Sequence, residues 1–136
     1  MEVVLDVNVF VSAVLSGDGP SAQLVTAMRG DRLSVVACPA LLAELGSVLR
    51  RDRFRRYLSL DEVDEYASEI QSLCRMVDDP DPVPALLRDP DDDYLLALAS
   101  ETGADAIVSG DLDLHEAVGL PVVILTPRDA LNRLDA

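Results

Sequence analysis

The sequence predicts an α/β fold built on a mostly parallel sheet, and three observations carry that expectation. Short runs of branched apolar residues alternate along the chain with amphipathic segments of helical period. Apolar residues make up 49% of the chain while aromatics are only 4%, so the core must be built from Val, Leu, Ile and Ala. The chain has 136 residues, no internal repeat and no stretch that reads as a linker, so residues 1–136 are expected to form one domain.

The elements follow in order. Residues 2–6, Glu2-Val3-Val4-Leu5-Asp6, are a short apolar run ending in an acid, the pattern of a buried strand with a functional group at its carboxyl end. Asn8 to Leu15 reads as a short helix, broken by Ser16-Gly17-Asp18-Gly19. Pro20 suits a first helical turn and opens a helix to about Arg29, with Leu24, Val25 and Met28 on one face; Gly30-Asp31 ends it. Leu33 to Cys38 reads as a second buried strand. Pro39 opens a helix through about Arg50, with a stripe of Leu41, Leu42, Leu45, Val48 and Leu49, and Glu44 lies within it.

A basic stretch runs from Arg50 to Arg56, and Ser59-Leu60-Asp61-Glu62 is a capping box that starts a helix toward Cys74. Met76-Val77 reads as a short third strand, and Asp78 to Pro84 is too rich in proline to be helical. Asp89-Pro90 marks the next helix start, with Asp91, Asp92 and Asp93 in a first turn whose dipole favours negative charge, and Gly103 stops it. Ala106-Ile107-Val108 is a strand, followed by Ser109-Gly110-Asp111-Leu112-Asp113 and a short helix to Gly119. Val122 to Leu125 is the last strand, and Pro127 opens a terminal helix.

Charge and composition bound the chemistry. The net charge is −14, every basic residue is Arg and there is no Lys, a balance that repels polyanions at long range. No signal peptide or membrane span is evident, so Cys38 and Cys74 read as reduced thiols in a cytoplasmic protein. A phosphate-binding glycine loop and a dinucleotide fingerprint are absent. The single histidine, His115, reads as surface or structural, which leaves nucleophilic triads little support.

The acids stand out. In open parallel sheets, sites lie beyond the carboxyl ends of strands, where Asp6 and Asp111 fall. Glu44 sits among apolar neighbours, and Asp93 opens a nearly all-apolar helix; carboxylates in such places are costly unless a cation pairs with them. Each has a plainer reading. Asp6 could cap a strand end, Glu44 could turn to solvent and pair with an Arg, Asp91 and Asp92 could be helix N-terminal charges, and Asp113 a local cap. Together the four acids Asp6, Glu44, Asp93 and Asp111 suggest a divalent cation, and an all-oxygen set suits Mg²⁺ or Mn²⁺ over Zn²⁺. Such a cation among carboxylates is suited to phosphoryl chemistry.

The ordered motifs Val4-Leu5-Asp6-Val7-Asn8-Val9-Phe10, Glu44, Asp89-Pro90-Asp91-Asp92-Asp93-Tyr94-Leu95 and Ile107-Val108-Ser109-Gly110-Asp111-Leu112-Asp113 together resemble a PIN-domain ribonuclease. The resemblance covers nearly the whole chain and is closest to stand-alone prokaryotic, VapC-like toxins of toxin–antitoxin systems. It implies a three-layer α/β/α sandwich with a mostly parallel central sheet, and a Mg²⁺- or Mn²⁺-dependent endoribonuclease. Asp6, Glu44, Asp93 and Asp111 would be its metal-holding, catalytic acids. Asn8, Ser109 and Asp113 would assist, Asn8 by orienting Asp6 or a coordinated water. A homodimer and a small antitoxin partner are also implied.

The run Asp91-Asp92-Asp93 leaves the third ligand open by one residue. Arg50, Arg53, Arg55 and Arg56 are candidates for tracking an RNA backbone, against the alternative of cations solvating a helix end. Rival functions are a structure-specific DNA nuclease and a catalytically silent PIN-like binding module. A phosphatase using Asp6 as nucleophile is weakened by Asn8, where a second Asp would be expected.

Overall fold

A computed structural model describes residues 1–81, 90–116, 120 and 122–135, and among these it leaves the side chains of residues 90–93 and 113 undescribed. Among the described residues five strands form one sheet: β1 (Glu2–Leu5), β2 (Ser34–Ala37), β3 (Arg75–Met76), β4 (Ala106–Val108) and β5 (Val123–Leu125). Their order is β3-β2-β1-β4-β5 and every pairing is parallel. Parallel strands need crossovers, which the helices supply. Helices α1 (Val7–Leu15) and α2 (Pro20–Arg29) connect β1 to β2, and α3 (Pro39–Leu49) and α4 (Leu60–Leu73) connect β2 to β3. Helix α5 (Pro90–Thr102) precedes β4, α6 (Leu112–Glu116) follows it, and α7 (Pro127–Asp135) follows β5.

The strands are apolar on both faces because both faces are covered, giving an α/β/α sandwich. Val3, Val4, Leu5, Ala106, Ile107 and Val108 are fully buried. Helix α5 packs on β1, β2 and β4, while α2 packs between α1 and α7. The core is aliphatic as expected, with Phe10 and Phe54 as its buried aromatic rings among the described residues.

Sequence punctuation accounts for most boundaries. Proline opens α2 and α3 at the first turn. The capping box at the start of α4 is present in both directions, Glu62 N–H to Ser59 Oγ at 3.1 Å and Ser59 N–H to Glu62 Oε1 at 3.0 Å. Gly103 takes φ +70 after α5, a conformation open to glycine.

Other boundaries differ from expectation. The third strand is Arg75–Met76, one residue earlier than Met76-Val77, because Val36 and Ala37 pair in register with Arg75 and Met76. Helix α2 does end at Gly30-Asp31, with Gly30 as its C-cap and Asp31 at φ 57. The basic stretch contains a 3₁₀ turn, Asp52–Phe54, that its composition did not reveal. Residues 78–81 carry no regular structure, as expected; 82–84, the expected helix start at Asp89 and the expected stop at Gly119 lie outside the described residues.

Register places the site. Leu5 pairs with Val108, and Val108 with Leu125, so β1, β4 and β5 end level with one another. The ladder continues one step further, with Asp6 N–H donating to Val108 O at 3.0 Å and Ser109 N–H to Leu125 O at 2.9 Å. The chain leaves β1 toward β2 and β3 on one side, and β4 and β5 lie on the other. The switch point therefore falls between β1 and β4, where open α/β sheets form a crevice.

Candidate metal centre

Asp6 stands at that switch point. It is 8% exposed, one of few buried polar residues among those described. Its carboxylate is the N-cap of α1, with Oδ1 accepting Asn8 N–H at 3.2 Å. Oδ2 accepts the hydroxyl of Ser109 at 2.8 Å, and that hydroxyl accepts the N–H of Asp111 at 2.9 Å. Ser109 is fully buried. A relay of two hydrogen bonds thus joins the tips of β1 and β4 and fixes the Asp6 carboxylate and the Asp111 backbone relative to the sheet. His115 donates a ring N–H to the Ser109 carbonyl, Nε2 to O 2.6 Å, which fixes its tautomer and gives it the structural role the sequence suggested.

Burial pushes the Asp6 carboxyl above its ordinary value. The hydrogen bond from Ser109 and the backbone N–H groups of Asn8 and Val7 hold it down, while the nearby Asp111 charge raises it further. A buried carboxylate beside a second acid is a centre of negative potential that a cation would relieve.

Glu44 is half-buried in α3, and its Oε2 accepts the hydroxyl of Tyr94 at 2.9 Å. Burial, followed by the Glu44 charge, pushes the Tyr94 phenol well above its usual range, so it remains a donor. Cys38 and Asp6 push it up further. Tyr94 was missed as a functional residue because it sits in an otherwise aliphatic helix. Its polar tip, one residue after Asp93, was the available signal. Asp79, also unforeseen, caps α3 by accepting Ala40 N–H on Oδ1 at 2.8 Å.

The structure thus joins Asp6, Ser109 and Asp111, and it ties Glu44 to Tyr94. Asn8 contributes its backbone, and its side chain is exposed. Asp93 lies in α5 next to Tyr94 and Asp113 lies in α6, but both side chains are outside the described residues. Among the described residues no three His, Cys, Asp or Glu side chains converge on one cation position. The donors that do gather are oxygens, which suits a hard divalent cation. The arginines lie at the other end of α3. Arg50 pairs with Asp64, Arg55 Nη2 donates to the Leu49 carbonyl, and Arg53 and Arg56 lie over the rings of Phe54 and Tyr57 at 4.8 and 5.0 Å. Cys38 and Cys74 are free thiols, with burial pushing Cys74 up to about 12.

Residues 2–113 match the PIN domain family. The chain is 26% identical over 114 residues to the uncharacterized protein MJ1680 of Methanocaldococcus jannaschii, covering 84% of this chain and 73% of that protein. Among solved structures, PAE2754 from Pyrobaculum aerophilum superposes with a TM-score of 0.63 at 17% identity, covering 99% and 90% of the two chains. FitAcB from Neisseria gonorrhoeae gives 0.60 at 19%, covering 93% and 98%. VapBC2 from Rickettsia felis, bound to a DNA fragment from its promoter, gives 0.60 at 12%, with the same coverage. At these identities the structural likeness establishes the fold.

Proposed function

The chain belongs to the PIN-domain family, and from that premise we propose that it is a Mg²⁺- or Mn²⁺-dependent endoribonuclease hydrolysing RNA phosphodiester bonds. In this reading it is the toxin of a toxin–antitoxin pair, a cytoplasmic homodimer held in check by a small antitoxin protein. The observation that carries the nuclease reading is Asp6, 8% exposed at the switch point of the sheet and coupled to Asp111. Asp6, Glu44, Asp93 and Asp111 would hold the cation. When bound, it would polarise the scissile phosphate and make a water acidic enough to attack at neutral pH.

The chain's own groups have distinct tasks. Ser109 donates its hydroxyl to one Asp6 oxygen and accepts the backbone N–H of Asp111, so the Asp6 carboxylate and the Asp111 backbone keep their spacing without a ligand. Tyr94 holds Glu44 against α5. Asn8 N–H occupies the other Asp6 oxygen, and Asp113 would assist from α6. The toxin role, the antitoxin and the preference for RNA over DNA rest on the motif resemblance. The likeness of fold to VapBC2 and FitAcB supports the pairing.

The test is cleavage of labelled single-stranded RNA and matched DNA with EDTA, Mg²⁺ or Mn²⁺, using Asp6→Asn as control. Metal-dependent cutting of RNA that the variant loses by at least a hundredfold is expected. Cutting that persists in Asp6→Asn, or DNA cut in preference to RNA, contradicts the reading.

A further inference from the structure

The strongest surface feature outside the metal centre is the turn that follows α3. Five of the 11 basic residues fall within residues 50–56, beside a single acid, Asp52, in a chain whose net charge is −14. A polyanion approaching this molecule meets repulsion over most of it and attraction here. The structure divides four of the five by task. Arg50 is occupied by Asp64. Arg53 and Arg56 are exposed and have no ion-pair partner among the described residues; each guanidinium lies over the aromatic ring that follows it. Arg56 also donates to the Tyr57 hydroxyl at 2.8 Å. Stacking of this kind fixes the planar fork before a ligand arrives.

Arg55 serves the fold instead: Nη2 donates to the Leu49 carbonyl, and Nε and Nη1 are buried. Arg53 and Arg56 line an open concavity of about 700 Å³ that also includes Asp52, Tyr57, 48% exposed, and Leu15, 38% exposed. An exposed ring between guanidinium groups is a stacking platform for an unpaired base. Leu15 ends α1, which begins at Asp6, so the surface lies about 14 Å along that helix from the metal centre. One extended strand could occupy both.

We propose that the turn after α3 docks single-stranded RNA, its phosphates held by Arg53 and Arg56 and a base stacked on Tyr57. This rests on the nuclease reading for the identity of the polymer. Acidic polypeptide is the less suitable occupant, because it offers no π-face to Tyr57.

The experiment is fluorescence anisotropy of labelled single-stranded RNA with the full chain in EDTA, across a salt series. Arg53→Gln/Arg56→Gln weakens binding at least tenfold and flattens the logarithmic salt slope by about 1.4, the share of two phosphate contacts on a single strand. Arg53→Lys/Arg56→Lys retains the slope. Tyr57→Leu weakens binding about tenfold with the slope unchanged. Unchanged affinity and slope in the glutamine double variant overturn the proposal. So does poly-glutamate that binds as tightly as RNA and displaces it, which assigns the surface to an acidic protein. The metal-free readout separates this surface from catalysis. RNA held here but never cut sinks the nuclease and leaves the surface standing; RNA cut normally by the glutamine variant does the reverse.

Discussion

Asp6 shows what a single residue can report. Its folded carboxyl titrates above its ordinary value of 3.8, chiefly through burial. A raised acid takes up a proton on folding, so ionised Asp6 destabilises the metal-free fold at every pH above its folded value. That burden disappears below the unfolded value, and it amounts to about 1.4 kcal/mol for each unit of the raise. Asp6→Asn removes it while keeping an acceptor for Asn8 N–H. In EDTA the variant is therefore expected to be the more stable protein at neutral pH. Its advantage should shrink as pH falls through the folded pKa toward 3.8. Paired denaturation curves check this, and a wild type more stable than the variant at pH 7 contradicts the burial argument. Asp6 and Asp111 were legible in the sequence because an acid just beyond a buried apolar strand is costly unless a cation or a cap engages it. The Ser109 relay was not, since a hydroxyl bridging two strand tips depends on register. Asp93, at a helix start, was legible as a ligand candidate and Asp113 as an assisting acid.

At the scale of elements, local signals decided more than long-range ones. Pro20 and Pro39 mark helix starts because a first-turn proline loses no needed N–H, and Ser59 with Glu62 satisfies its helix end by itself. Strand limits were less legible: Arg75 joins β3 only because Val36 lies in register beside it. The tie between α3 and α5 was hidden for the same reason, as Glu44 and Tyr94 are 50 residues apart. Tyr94→Phe deletes that tie and leaves the ring packed. It should cost about 1–2 kcal/mol, as expected for a hydrogen bond to a charged group in a half-buried site. It should also raise the Mn²⁺ concentration needed for half-maximal cleavage several-fold. Urea denaturation and a metal titration read the two effects, and unchanged values in both would show that Tyr94 does not position Glu44.

For the whole molecule, the alternation of apolar runs and helices was enough to give a parallel sheet with helices on both faces, because only crossovers join parallel strands. Strand order was beyond that pattern. It is the order β3-β2-β1-β4-β5 that puts the switch point between the strands carrying Asp6 and Asp111. A charge of −14 is by itself unhelpful to an enzyme acting on a polyanion. In the fold the candidate carboxylate centre and the basic turn stand apart, at the two ends of α1. The central claim is that Asp6 anchors a divalent-cation site, and thermal unfolding of wild type and Asp6→Asn with and without millimolar Mn²⁺ tests it most directly. A site filled to a hundred times its dissociation constant stabilises the fold by about 2.7 kcal/mol. A cation site anchored by Asp6 gives a clear rise in wild-type Tm that is lost in the variant; no rise in wild type, or an equal rise in both, would contradict it.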